Sequence, residues 1–109
     1  MMKGLYDIVK ERIKNVLKNI PGNHTAEKLA VMCGIFTEDD WHRTIRRIVE
    51  ELTQEGYPIG SDTRGFAWIR TDAELQYYLN GLQRRQVALC KRIANIYDGY
   101  QDHKKKSLQ

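Results

Sequence analysis

Proline and cysteine are scarce in this 109-residue chain, with two of each, and no apolar run is long. The longest apolar stretches fall far short of the ~20 residues a bilayer crossing needs, so no membrane partner is expected. Met1-Met2-Lys3-Gly4-Leu5 leads straight into mixed charged sequence, which predicts no secretory signal and a cytoplasmic protein. Cys33 and Cys90 lie far apart in apolar helical settings, which excludes a disulfide scaffold and reads as reduced core or interface thiols. His24, His42 and His103 have no ligand spacing with those cysteines, so no metal is expected. Ser61 and Ser107 sit in a turn and a terminal stretch without a nearby base, and no glycine-rich phosphate loop precedes a helix. The chain therefore offers no catalytic residues and no cofactor site, and is not read as an enzyme.

What is present is charge: 29% charged against 41% apolar residues, net +4 and a pI near 9.1. A basic balance suits a polyanion. Its distribution is uneven. Residues 1–24 and 72–109 each carry +3 and residues 57–71 carry +1, whereas residues 25–56 carry −3.

Helical periodicity dominates the first half. Apolar residues at 5, 8, 9, 13, 16, 17 and 20 form one stripe, with Lys10, Lys14 and Lys18 on another face, until Pro21-Gly22-Asn23 breaks the helix. Thr25 is a candidate N-cap for a short helix from Ala26 to about Cys33, ended by Gly34. Phe36 is expected to plug the core at the following corner. Thr37 is expected to cap a third helix whose first turn holds Glu38, Asp39 and Asp40, with Trp41, Ile45, Ile48, Val49 and Leu52 as its buried stripe. Past Gly56, Tyr57–Ser61 and Phe66–Arg70 read as strands joined by the turn Asp62-Thr63-Arg64-Gly65. The fold class is mainly α with a small β-hairpin (α+β).

A last helix begins at Thr71 or Asp72. In it Leu75, Leu79, Leu82, Gln86, Leu89, Ile93, Ile96 and Tyr100 alternate steps of four and three, a heptad seam with one polar member. At ~1.5 Å per residue such a helix reaches some ~40 Å over residues 72–98, too long for a core of about 70 residues to cover. Leu79, Leu82, Gln86, Leu89, Ile93 and Ile96 are therefore the expected homodimer contacts. The alternative is that Leu75, Leu79 and Leu82 pack on the domain while the rest frays. Gly99 is expected to end the helix, leaving residues 101–109 as a basic tail that includes Lys104-Lys105-Lys106.

In order, Leu29-Ala30, Gly34-Ile35, Thr44-Ile45-Arg46-Arg47, Val49, Leu52, Gly56-Tyr57-Pro58-Ile59, Ser61 and Gly65-Phe66 resemble the winged helix-turn-helix domains of small bacterial and prophage regulators. The resemblance implies a winged helix-turn-helix over residues 1–71, then the long helix over 72–100. It also implies sequence-specific binding of double-stranded DNA, in transcription regulation or in phage or plasmid replication. The third helix would enter the major groove, with Arg43, Arg46 and Arg47 as the main contacts and His42 and Thr44 as minor ones. Arg64 would serve at the wing tip, and Lys28, with Lys14 and Lys18, at phosphates. The same arginines have a plainer reading: Arg46–Glu50 and Arg47–Glu51 are i,i+4 pairs that decorate a solvated helix. The acidic start of the third helix and the aromatics Tyr57, Phe66, Trp68, Tyr77 and Tyr78 point to the alternative function, a winged-helix protein–protein adaptor in a replication or phage assembly.

Overall fold

Three amphipathic helices close on one another before a hairpin folds against them. In the computed structural model, which describes residues 3–108, the elements run α1 (Lys3–Asn19), α2 (Ala26–Met32), α3 (Trp41–Gln54), β1 (Ile59–Asp62), β2 (Gly65–Trp68) and α4 (Asp72–Leu108). The chain is mainly helical, with one two-stranded antiparallel sheet and a long C-terminal helix, the fold class its periodicities predict. It divides into two compact units, one ending at Leu75 and the other beginning at Gln76.

The core of the first unit takes Val9, Ile13 and Leu17 from α1, Leu29 and Ala30 from α2, and Ile45, Ile48, Val49 and Leu52 from α3. The stripe on α1 is narrower than its apolar spacing suggests. Leu5 in the first turn and Ile20 beyond the last are exposed, and so is Ile8, which lies about 100° around the helix from Val9. At the α2–α3 corner the buried plug is Ile35, at 2% exposure, and not Phe36, at 43%. The reason is the backbone. Ile35 N–H bonds Ala30 O at 3.0 Å and Ile35 O accepts from Glu38 N–H at 2.9 Å, which turns its side chain inward and its neighbour's outward.

Thr25 caps α2 as expected, its Oγ1 accepting Lys28 N–H at 3.1 Å. The start of α3 differs from expectation. Thr37 is not its cap, because residues 36–40 are spent in turns, and the helix begins at Trp41 with Asp40 as an N-cap that makes no side-chain hydrogen bond. Glu38, Asp39 and Asp40 thus precede the helix instead of lying in its first turn. The other end of α3 closes with Tyr57 N–H on Leu52 O (3.1 Å) and Gly56 N–H on Thr53 O (3.0 Å). Gly56 takes φ +100°, the left-handed conformation this ending requires.

β1 pairs with β2 in the register Ile59↔Trp68, Gly60↔Ala67, Ser61↔Phe66 and Asp62↔Gly65, leaving Thr63-Arg64 as a two-residue loop. Asp62 steadies that loop by accepting Arg64 N–H on Oδ1 at 2.8 Å. A third segment joins the hairpin: His24 N–H bonds Phe66 O at 2.7 Å and Phe66 N–H bonds His24 O at 2.8 Å. This bridge ties the hairpin to the α1–α2 connection.

Arg70 ties it a second time. Its Nη2 donates to Leu17 O at 3.1 Å and Lys18 O at 2.7 Å, placing a cation at the negative end of α1. Thr71 caps α4 by accepting Glu74 N–H at 3.2 Å, while Glu74 accepts Arg70 N–H at 2.8 Å. From there α4 runs straight through Gly99 to Leu108, so Lys104-Lys105-Lys106 belong to the helix and not to a tail. A single glycine costs a helix only about 1 kcal/mol, which the surrounding helix-forming residues offset.

At Gly65, where φ is +114°, an added Cβ would lie 2.7 Å from His24 C and 2.9 Å from Thr25 Cα, both backbone atoms that have no room to move. Gly65→Ala is therefore expected to cost about 2 kcal/mol or more in urea denaturation. Gly99→Ala, made where nothing lies within 4 Å, should instead strengthen α4 by up to about 1 kcal/mol. A Gly65→Ala protein as stable as the parent would remove the role given to this close approach.

Candidate nucleic-acid interface

The apolar stripe of α3 faces the core, which turns Arg43, Arg46, Arg47 and Glu50 outward. The three guanidinium groups are exposed yet differ in their partners. Arg47 Nε donates to Glu51 Oε1 at 3.2 Å, and its guanidinium lies 5.4 Å from the centre of the Tyr6 ring, so it leans toward α1. Arg43 and Arg46 make no ion pair or side-chain hydrogen bond among the described residues. Of the two i,i+4 pairs the spacing allows, only Arg47–Glu51 forms.

Arg46 stands between two hollows. One, of about 380 Å³, lies between α3 and the hairpin and is lined by Thr25, Ala26, Ser61, Asp62, Thr63, Gly65 and Phe66 besides Arg46 itself. The other, of about 350 Å³, is lined by Asp39, Asp40, His42, Arg43 and Arg46. The structure thus brings Arg43 and Arg46 together and puts Arg46 beside the hairpin. Arg64, in the hairpin loop, holds Asp62 Oδ2 through Nη2 at 2.7 Å and Nε at 3.1 Å, a charge pair at the tip.

The minor candidates are dispersed. His42 is exposed but stacked on Trp41 with ring centres 3.4 Å apart, and Trp41 in turn meets Phe36 at 5.2 Å. Thr44 is half-buried, and Lys28 is exposed on α2. Lys14 pairs with Glu11 at 3.0 Å and lies 5.3 Å from the Tyr57 ring centre, while Lys18 is exposed at the end of α1. On α4, Leu79, Leu82, Gln86, Leu89, Ile93 and Ile96 are all exposed in the single chain.

Two features escape sequence reasoning. The first is an ionic cluster across α1 and α3: Lys10 Nζ lies 3.2 Å from Glu51 Oε2 and 2.5 Å from Glu55 Oε1. The four-residue spacing of Glu51 and Glu55 marks them as one face, but nothing in it names Lys10 as their partner. Beside them the Tyr6 hydroxyl is pushed up by burial and by the Glu51 carboxylate. The second is His24, 1% exposed, with Nε2 at 2.8 Å from Ile20 O, which makes Nε2–H the donor. A histidine in a Gly-Asn-His connection carries no burial signal in sequence.

Compared with known proteins, the chain matches no family model, no curated protein and no solved structure. Among the described residues no group of histidine, cysteine or carboxylate side chains is placed to hold a metal ion, and no helix is long and apolar enough to cross a membrane. Both cysteines are free, and burial pushes the Cys33 thiol up, away from the reactive thiolate. What the outer face of α3 offers is two unpaired guanidinium groups, one of them, Arg46, beside the hairpin.

The Tyr6 hydroxyl first, then Lys10 and Arg47, hold the Glu51 carboxyl below its ordinary 4.5, while desolvation, second only to the Tyr6 effect, works the other way. A depressed folded value stabilises the fold above the unfolded value, and that gain is lost as pH falls through the folded one. Urea midpoints measured from about pH 7 down to about pH 3 should fall more steeply for the parent than for Glu51→Gln. Parallel profiles would show that the cluster adds nothing to stability.

Proposed function

We propose that this protein binds double-stranded DNA through α3 and the β1–β2 hairpin, as a homodimer joined by α4, in transcription regulation or in phage or plasmid replication. The single observation that carries the reading is the adjacent pair of exposed, unpaired guanidinium groups of Arg43 and Arg46 on α3, with Arg46 bordering a hollow of the β1–β2 hairpin. A guanidinium fork matches the two acceptors on the major-groove edge of guanine, and a helix of 14 residues fits that groove. The hairpin supplies hydroxyls from Ser61 and Thr63 within the hollow that Arg46 borders, groups suited to phosphate oxygens. Arg64 at the loop can exchange its Asp62 partner for the stronger field of a phosphate backbone. Arg47, held by Glu51 and Tyr6, contributes less.

A second reading has an observation of its own. Asp39 and Asp40 line the same hollow as Arg43 and Arg46, and Phe36, Trp41 and His42 form an aromatic step beside it. Mixed charge next to exposed aromatic area suits a protein partner, the adaptor role, better than a polyanion.

Gel-shift titration against random-sequence and selected duplexes separates the two. For the DNA reading, Arg43→Ala and Arg46→Ala should each weaken selected-site binding by about 1–3 kcal/mol, with Arg47→Ala closer to neutral. Each lost phosphate contact should lower the slope of log affinity against log salt by about one. Failure of about 10 µM protein to shift any duplex at low salt would overturn it, since non-specific binding alone falls in the ~10⁻⁴–10⁻⁶ M range at physiological salt and tightens as salt is removed.

A further inference from the structure

Of the described residues from Gln76 onward none is buried, although α4 carries a heptad seam that is apolar except at Gln86; Leu89, Ile93 and Ile96 are 58%, 68% and 63% exposed. The helix has 37 residues, about 55 Å at ~1.5 Å each. We infer that the occupant of this seam is a second copy of the same helix running parallel and in register, a two-stranded coiled coil. The inference rests on the pairing through α4 proposed above and adds its direction, which decides where the two DNA-binding units emerge.

The argument starts from heptad positions. The steps of four and three put Leu79, Gln86 and Ile93 at a, and Leu82, Leu89 and Ile96 at d. In a parallel pair each layer joins like with like, a to a and d to d. Gln86 then meets Gln86 of the second copy, and each amide can donate to the other's oxygen inside an otherwise apolar seam. An antiparallel pair joins a to d. Every antiparallel register that keeps most of the seam overlapped sets Gln86 against Leu82, Leu89 or Ile96, leaving an amide without a partner where water is excluded.

The flanking charges point the same way. Arg85 and Arg92 occupy g, and no acidic residue occupies e or g between Gln76 and Lys106. In the parallel arrangement a g residue faces the e residue five further along the other copy. Arg85 then lies beside Cys90 and Arg92 beside Tyr97, a neutral contact and a cation–aromatic one. Antiparallel pairing joins g to g and sets Arg85 against Arg92, or either against itself, next to a desolvated seam. A single polar residue at a, Gln86, is the kind of position that specifies register and strand number. Both first units then leave the coiled coil at one end.

The direction is read by disulfide trapping in the full chain. With Cys90→Ser removing the exposed thiol and Cys33 buried, a single cysteine is introduced at a d position, Leu89→Cys or Ile96→Cys, and the protein is held in a glutathione redox buffer. Light scattering should give twice 12.8 kDa before oxidation, and non-reducing electrophoresis near-complete conversion of both variants to a linked dimer. A dimer by light scattering in which neither variant links would overturn the parallel arrangement while leaving the pairing intact. A monomer for the parent chain would overturn the pairing as well. Gln86→Leu in the Leu89→Cys background supplies a further readout: linking should become incomplete as antiparallel or higher-order species gain ground, and unchanged complete linking would overturn the role given to the Gln86 layer.

Discussion

The reciprocal backbone bonds between His24 and Phe66 hold the architecture of the first unit in place. A two-stranded hairpin is marginal by itself in water, and this one has only four residues in each strand. The bridge converts it into a three-segment sheet anchored to the α1–α2 connection, and the approach is so close that residue 65 has no room for a side chain. His24 is buried by the same contact and satisfies Nε2 locally on Ile20 O. Its Nδ1 is buried with no hydrogen-bond partner. The position of the hairpin relative to α3, and so of Ser61 and Thr63 relative to Arg46, follows from this one fixed point.

Arg70 extends the same logic to the other end of the hairpin. For an arginine just past a strand, a nearby acid such as Asp72 or Glu74 would be the simple side-chain partner. Instead its side chain spans to the last carbonyls of α1, while its own N–H is taken by Glu74 of the next helix. One residue thereby joins the end of α1, the exit of the hairpin and the start of α4. Such a contact depends on where α1 ends in space, a quantity that no local spacing encodes.

This separates what could be read in the sequence from what could not. The helices, the hairpin, the Thr25 cap and the break after α3 were legible because each depends on residues within one turn or one loop. The burial of Ile35 over Phe36 was not, because which of two adjacent apolar residues turns inward depends on the Ala30 and Glu38 backbone partners. The late start of α3 was hidden for a related reason: Thr37 is a good cap in isolation, but the turn that buries Ile35 uses up the residues it would have capped. The helix through Gly99 is not legible at the glycine itself, because its cost is offset by a helix of 37 residues and not by its immediate neighbours. In the candidate interface, the arginine positions were evident from periodicity alone, whereas their inequality was not. Arg47 is drawn away by Tyr6 on another helix, and Arg46 gains its neighbours from the hairpin.

Charge gives the last step. Residues 25–56 carry a net −3, which by itself would repel a polyanion. Charges are neutralised in space, however, and not along the chain. Glu51 and Glu55 both face Lys10 of α1, and Glu51 also takes Arg47, so two of the seven acids in that segment belong to an ionic cluster on the α1 side of α3. Glu38, Asp39 and Asp40 lie ahead of the helix instead of along it, and only Asp39 and Asp40 border the hollow of Arg43 and Arg46. Exposed charges farther apart than about 10 Å are largely screened at ordinary ionic strength, so a ligand on α3 meets the guanidinium groups it touches and not the segment total. The two carboxylates beside Arg43 therefore become the deciding local charges. They disfavour a phosphate laid directly over the N-terminus of α3, whereas on the hairpin side, where Arg46 borders a hollow with Ser61 and Thr63, the one lining carboxylate, Asp62, is held by Arg64.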